Sequence, residues 1–304
     1  MYFAGNWVVE GLSRIAKVLR WKEFVVAFFI MSLAATLPNL FLAIMSVIDH
    51  VPQLSLGDVM GGNVVDMTLV IALAVFFSKK GVDASGETVQ TSLLYTFVAA
   101  ILPLVLLLDG GLSRIDGIIL LMLFFAYLHW LLSKKERFKM IYSGHSINIG
   151  KNFHLIAKDV VKVVGGSVVL IGVAQSIISL ANSFSAEFNV SLPLVGILIV
   201  GFGNSLPEMY FAIAAAKSNK TKMILGDVMG AIILPGTLVL GMVALLSPFE
   251  VDGAAMFAAA RYFLLIAAVL FYMAVKTGQK ITKKEGVMLL GVYIAFLITE
   301  IFAK

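Results

Sequence analysis

Leu56-Gly57-Asp58-Val59-Met60-Gly61 recurs as Leu225-Gly226-Asp227-Val228-Met229-Gly230, 169 residues further along the chain. The same offset, without gaps, aligns Leu37-Pro38 with Leu206-Pro207, Ala43-Ile44 with Ala212-Ile213, Thr68-Leu69-Val70 with Thr237-Leu238-Val239, and Gly117 with Gly286. Between residues 37 and 61, 10 of 25 positions are identical. Shared apolar composition scatters Leu and Val matches along such a comparison. It does not produce an identical six-residue block in register with Leu-Pro. The chain is an internal duplication, and its fold is one half used twice.

Composition says what kind of half. Of 304 residues, 60% are hydrophobic and 13% charged, against roughly 45–50% and 25% in soluble domains. Mean hydropathy is +0.99. A soluble globule of this size cannot hide so much apolar surface, so a soluble enzyme, a disordered chain and a nucleic-acid-binding domain are excluded. Cysteine is absent, which removes disulfides, thiolate metal sites and thiol chemistry. A polytopic membrane protein remains, with the lipid bilayer as its surroundings and no nucleic-acid partner.

Nine apolar stretches approach or exceed the roughly 20 residues that cross a bilayer: 24–48, 58–78, 91–108, 117–132, 164–180, 192–216, 223–246, 253–275 and 286–303. They are apolar all round, which predicts helices rather than the alternating segments of a barrel. A tenth segment, Tyr2–Ile15, is short and carries Glu10 and Arg14. Nearly all of the 23 Lys and Arg residues fall in loops 14–23, 79–90, 133–162, 217–222 and 276–284. The alternate loops hold only Arg114. Basic loops face the cytoplasm, and strict alternation needs ten crossings with both termini outside. The expected architecture is an all-α membrane protein of ten transmembrane helices, the first one short, as two inverted five-helix repeats. Residues 1–133 form the first repeat, 134–162 a basic cytoplasmic linker, and 163–304 the second repeat. Five is odd, so the second half enters the membrane upside down, a hallmark of secondary transporters whose sites lie near the midplane on interrupted helices. Pro38 and Pro207, matched by the offset and flanked by polar residues, read as such interruptions, the alternative for each being a simple kink in a continuous helix.

Four carboxylates fall in or at the edge of the spans: Asp58, Asp66, Glu208 and Asp227. Each costs about 2.5–3.5 kcal/mol at a helix centre facing lipid, so they face protein, water or a cation. No Lys or Arg lies deep enough to pair with them, Arg261 being the nearest. Asp58 and Asp227 keep two readings open: helix caps at the membrane surface, or interior groups. Asp66 and Glu208 lie deeper. Neutral oxygen donors accompany them in Thr36, Asn39, Asn63, Asn204 and Ser205. Carboxylate, amide, hydroxyl and carbonyl oxygens are what hard cations select. His50, His129, His145 and His154 stand near loops and read as bystanders.

These residues resemble the sodium/calcium exchanger family of the cation/calcium antiporter superfamily, and a divergent prokaryotic type within it. The family pattern reads Gly-(Thr/Asn)-Ser-Leu-Pro-Glu, then Gly-Asn-x-x-Gly-Ser, with an acidic or amide ligand four residues on. Gly203-Asn204-Ser205-Leu206-Pro207-Glu208 matches in full, and Ala34-Ala35-Thr36-Leu37-Pro38-Asn39 is a degraded copy. The two Gly-Asp blocks keep the glycines, with Asp in place of Asn and the serine lost at Gly62 and Ala231. The resemblance implies one central site exchanging calcium for sodium or protons, with two glutamates after the prolines at its centre. Here Glu208 matches one and Asn39 replaces the other; Asp66 holds the later ligand position in the first half, Pro235 in the second. It further implies that the first and sixth helices move.

The resulting expectation is a secondary active cation antiporter and not an enzyme, in the cell membrane, working by alternating access. Its site residues are Thr36, Asn39, Asp66, Asn204, Ser205 and Glu208, with Asp58, Asn63 and Asp227 behind them. No cofactor is expected; the transported cations Ca2+, Na+ or H+ are substrates, and a monomer is the simplest assembly. The competing readings are a proton-coupled or other-cation exchanger of the same fold, a transport-altered homologue, and an intramembrane aspartyl protease using the paired Gly-Asp motifs.

Overall fold

The computed structural model describes residues 33–133, 153–251 and 257–302. Counting interrupted helices once, nine occupy these residues: α1 (Leu33–Ile48), α2 (Pro52–Phe77), α3 (Glu87–Leu106), α4 (Arg114–Ser133), α5 (Phe153–Phe188), α6 (Leu192–Lys217), α7 (Thr221–Leu246), α8 (Ala258–Lys276) and α9 (Lys283–Phe302). Among the described residues, seven are long and apolar enough to cross a membrane: α2, α3, α4, α6, α7, α8 and α9. The 36 residues of α5 span about 54 Å, well beyond a hydrocarbon core of about 30 Å. It starts at Phe153, so the end of the stretch expected as linker is helical. The short segment Tyr2–Ile15, the start of the 24–48 stretch and most of the 134–162 linker lie outside the described residues.

The duplication is visible in the helix ends. Shifting α2 by 169 residues reproduces the bounds of α7, and shifting α4 reproduces those of α9. Their start signals repeat as well. Ser113 donates its hydroxyl and its N–H to Asp116 Oδ2, both at 2.7 Å, ahead of α4. Thr282 does the same to Glu285 Oε2, at 2.8 and 2.6 Å, ahead of α9. Each is a reciprocal cap that satisfies N–H groups the helix leaves without partners, worth about 1 kcal/mol.

The direction of the two halves follows from four short strands. β1 (Val82–Asp83), after α2, pairs antiparallel with β4 (Lys280–Ile281), after α8. β2 (Gly111–Leu112), after α3, pairs antiparallel with β3 (Phe249–Glu250), after α7. Asp83 also accepts Lys222 at 3.5 Å at the start of α7, and Gln53 at the start of α2 donates to the Glu250 carbonyl. Thus α2 ends where α7 begins, and α7 ends where α2 begins: equivalent helices run in opposite directions. One end of the bundle collects Lys79, Lys80, Lys217, Lys220, Lys222, Lys276, Lys280, Lys283 and Lys284. The other carries Asp49, His50, Asp109 and Glu250, with Arg114.

Both halves build one core. α2 and α7 are the most buried spans, α4 and α9 the most exposed. α4 lies on α7 and α9 on α2, each across the halves. Gly117 and Gly286 permit this. A Cβ at Gly117 would fall 2.7 Å from the Gly241 carbonyl, and one at Gly286 would fall 3.1 Å from a methyl of Val75. α2 and α6 approach closer still. A Cβ at Gly201 would stand 2.6 Å from the Gly62 nitrogen, and one at Gly196 2.7 Å from the Leu54 carbonyl. Backbone therefore meets backbone where these helices cross.

Candidate cation site

Three of the interrupted helices widen for a turn near the bundle centre. Asp66–Val70 in α2, Gly196–Val200 in α6 and Leu234–Val239 in α7 are π-turns, an irregularity that recurs at functional sites. In α2 the Thr68 hydroxyl donates to the Val64 carbonyl, and in α7 the Thr237 hydroxyl donates to Ile233. These are equivalent positions, and each hydroxyl bonds back to the carbonyl four residues earlier. α6 is broken at Ser205, between Gly201–Asn204 and Leu206–Lys217, with Pro207 in the first turn after the break. The break puts Glu208 at the start of a helix, where backbone N–H groups lack intrahelical partners.

A small cavity lies where α1, α2, α6 and α7 meet. It is lined by Thr36, Asn39, Asp58, Asn63, Asp66, Asn204, Ser205 and Glu208, with Gly62, Ala231 and Pro235 completing the wall. Its free space for a water-sized centre is about 10 Å³, about what one water needs. Asp58, Asp66 and Glu208 are buried, and among the described residues no Lys or Arg lines the wall. Asn204 Nδ2 donates to Asp58 Oδ1 at 2.8 Å. The Ser205 hydroxyl donates to the Gly62 carbonyl at 3.5 Å. Among the described residues, Asn39 Oδ1, Asp66 Oδ1 and Glu208 Oε2 are buried oxygens without a hydrogen-bond partner. Buried acceptors left this way cost about 1–3 kcal/mol each, and together they form a wall of oxygen with little to donate to it. Among the described residues, no three acidic or histidine side chains converge as a tight ligand cage. The donors are carboxylate, amide and hydroxyl oxygens, the kinds of ligand that hard cations take.

All six residues expected to carry the site line this cavity, and Asp58 and Asn63 line it with them. The capping reading of Asp58 and Asp227 is overturned. α2 and α7 begin six residues earlier, at Pro52 and Thr221, so both aspartates fall in helix interiors, and both are buried. Asp227 does not line the cavity, which also separates it from Asp58 and leaves the aspartyl-protease dyad without a shared pocket. Arg261 lies in the first turn of α8, shallower than its sequence position suggested. The sequence reading passed over Glu300, which is buried near the end of α9 against the backbone of Ala260, away from the cavity. Its lone acidic side chain in an apolar run was the available signal.

A family profile described as sodium/calcium exchanger protein matches residues 1–133 and 159–302. The chain belongs to the sodium/calcium exchanger family. The membrane protein MJ0091 of Methanocaldococcus jannaschii is 30% identical over 97% of this chain and 92% of its own length. The sodium/calcium exchanger MaX1 of Methanosarcina acetivorans is 23% identical over 96% of this chain and 93% of its own. The solved sodium-calcium exchanger NCX_Mj, soaked with 2.5 mM Na+ and 10 mM Sr2+, superposes with a TM-score of 0.69 at 26% identity, covering 98% of this chain and 94% of that one. As a member of the exchanger family, the chain is a multi-pass helical membrane protein of prokaryotic type. Its cavity is uneven for an exchanger built from a duplication: Glu208 in α6 is answered by Asn39 in α1, and Asp66 in α2 by Pro235 in α7.

Proposed function

We propose that the protein is a secondary cation antiporter that exchanges inorganic cations at the cavity between α1, α2, α6 and α7. The observation that carries this is that Asp58, Asp66 and Glu208 line one buried space together with neutral oxygens of Thr36, Asn39, Asn63, Asn204 and Ser205, and that no basic side chain among the described residues lines it. Buried carboxylates sharing one space without a counter-ion resist joint ionisation. A cation entering the cavity supplies the missing charge, and a competing cation must displace it. That competition is what couples the two fluxes. Asp227, buried nearby on α7, adds negative potential from behind the wall. Ca2+, Na+ and H+ are the cargo. A divalent ion offsets two carboxylates where a monovalent ion offsets one, so calcium is favoured.

The whole chain then reads as ten crossings in two inverted five-helix repeats, 1–133 and 163–304 joined by the basic segment 134–162. The lysine-rich end lies in the cytoplasm and both termini outside. Alternating access comes from rocking one helix group against the other around a fixed site. A second reading keeps the fold and makes protons the coupling ion. It is favoured by Asp58 and Asp66, two protonatable groups on the cavity wall.

The test is ion flux in proteoliposomes, with sodium, proton and potassium gradients imposed in turn. Calcium uptake driven by outward sodium supports the first reading, and uptake driven only by a proton gradient supports the second. Glu208→Gln is expected to abolish gradient-driven uptake while the purified protein keeps its melting temperature within a few degrees. Wild-type flux in this variant would move the site elsewhere.

A further inference from the structure

We infer that Asp58 is a positioning residue whose carboxylate fixes the amide of Asn204, so that Asn204 presents its oxygen, not its nitrogen, to the transported cation. The inference rests on the antiport reading of the cavity. An amide side chain has two faces of opposite use: an NH2 group that donates and repels a cation, and an oxygen that accepts and can ligate one. Nothing intrinsic to asparagine selects between them. Here the selector is Asp58, buried on α2, which takes Nδ2 of Asn204 at 2.8 Å. A carboxylate accepts and does not donate, so it demands the nitrogen. Oδ1 is then what Asn204 offers the cavity it lines.

The duplication provides an internal control. The 169-residue offset makes Asp227 the equivalent of Asp58 and Ala35 the equivalent of Asn204. The sequence has alanine, not an amide, at the position matching Asn204, and Asp227 does not line the cavity although it is as buried as Asp58. On the α2–α6 side the pair sits where the backbones touch through Gly62 and Gly201. The close crossing holds the two side chains in register. A ligand oriented by a partner behind it loses about 10- to 100-fold in metal affinity when the partner is removed.

The experiment is calcium binding by calorimetry to the full chain in detergent, with Asp58→Ala, Asn204→Ala, the double variant and Glu208→Gln, each checked for its melting temperature. The expected result is a loss of at least tenfold in each single variant of the pair, with the double no weaker than Asn204→Ala alone, because Asp58 acts through Asn204. Losses that multiply in the double variant would make Asp58 an independent ligand and overturn the inference, as would wild-type binding in Asn204→Ala. If Asp58→Ala does not fold, Asp58→Asn and Asn204→Asp close the same cycle without a change of shape. Asp58→Asn alone frees the amide to turn and weakens binding. Combined with Asn204→Asp it restores a one-way contact, and binding recovers; failure to recover overturns the inference. Unchanged binding in Glu208→Gln removes the antiport reading itself and the inference with it. Additive losses beside an inactive Glu208→Gln remove only the role of Asp58.

Discussion

Asn39 and Glu208 hold the same place in the two halves, each following a proline by one residue and each lining the cavity. The missing carboxylate at 39 leaves the cavity with less charge than its symmetry would allow. Asn39→Glu restores it close to a bound ion. At about 4 Å and an effective dielectric near 20, a unit charge pair is worth up to about 4 kcal/mol. Desolvation takes back much of this, so calcium affinity is expected to tighten on the order of tenfold. Measured by calorimetry from pH 5 to 8, binding to both proteins is expected to weaken as pH falls, because protons compete for the same oxygens. Unchanged affinity in Asn39→Glu and no dependence on pH would separate these residues from any cation. Gly62 gives a second test. A Cβ there meets only ordinary contacts, Gly201 O at 3.7 Å and Ser205 Oγ at 3.8 Å. Gly62→Ser adds a hydroxyl to the wall without crowding it, and a several-fold gain in calcium affinity with an unchanged melting temperature is the expected outcome.

At the scale of one element, the π-turns are the parts most exposed to single substitutions. Thr68→Val keeps the shape of the side chain and removes its hydrogen bond to the Val64 carbonyl. A loss of about 0.5–1.5 kcal/mol is expected, readable as a lower melting temperature, and Thr237→Val in the other half should cost about the same. Gly201→Ala places a methyl 2.6 Å from the Gly62 nitrogen. Since α2 and α6 both carry cavity residues, it is expected to impair flux as well as stability. The elements also show how far the sequence could be read. Duplication, helical character and the residues of the cavity were legible, because an intramembrane carboxylate stands out in an apolar run. The prolines were read less well: Pro207 follows a break in α6, whereas Pro38 interrupts nothing and lies inside an unbroken α1. The true start of α2 was missed, and with it the interior setting of Asp58. Pro52 looked like part of a loop, although proline in the first helical turn is a common start signal. The length of α5 was missed because the lysines that mark its first turns also mark a cytoplasmic loop. The Asn204–Asp58 bond was out of reach: its partners are 146 residues apart, and the repeat pairs each with a different residue.

Across the whole molecule, two antiparallel ladders tie one half to the other, one at each end of the bundle. Lysine-rich loops gather at the first and acidic side chains at the second. That asymmetry predicts orientation, and the absence of cysteine makes it simple to measure. Single cysteines at Asn219 and Asp109 are expected to react with an impermeant thiol reagent from opposite sides of the membrane, Asn219 from the cytoplasm. Reaction from the same side would contradict the crossing pattern.

The laying of α4 on α7 and of α9 on α2, through Gly117 and Gly286, has an evolutionary reading. Each half takes part of the cover of its central helix from the other, beside what its own helices supply. A half cut out of this chain would leave that part of its central helix bare, and a second copy facing the opposite way would cover it. Fusing two such copies would yield a chain of this plan, and once joined the halves can carry different side chains at matching positions, as 39 and 208, and 66 and 235, do.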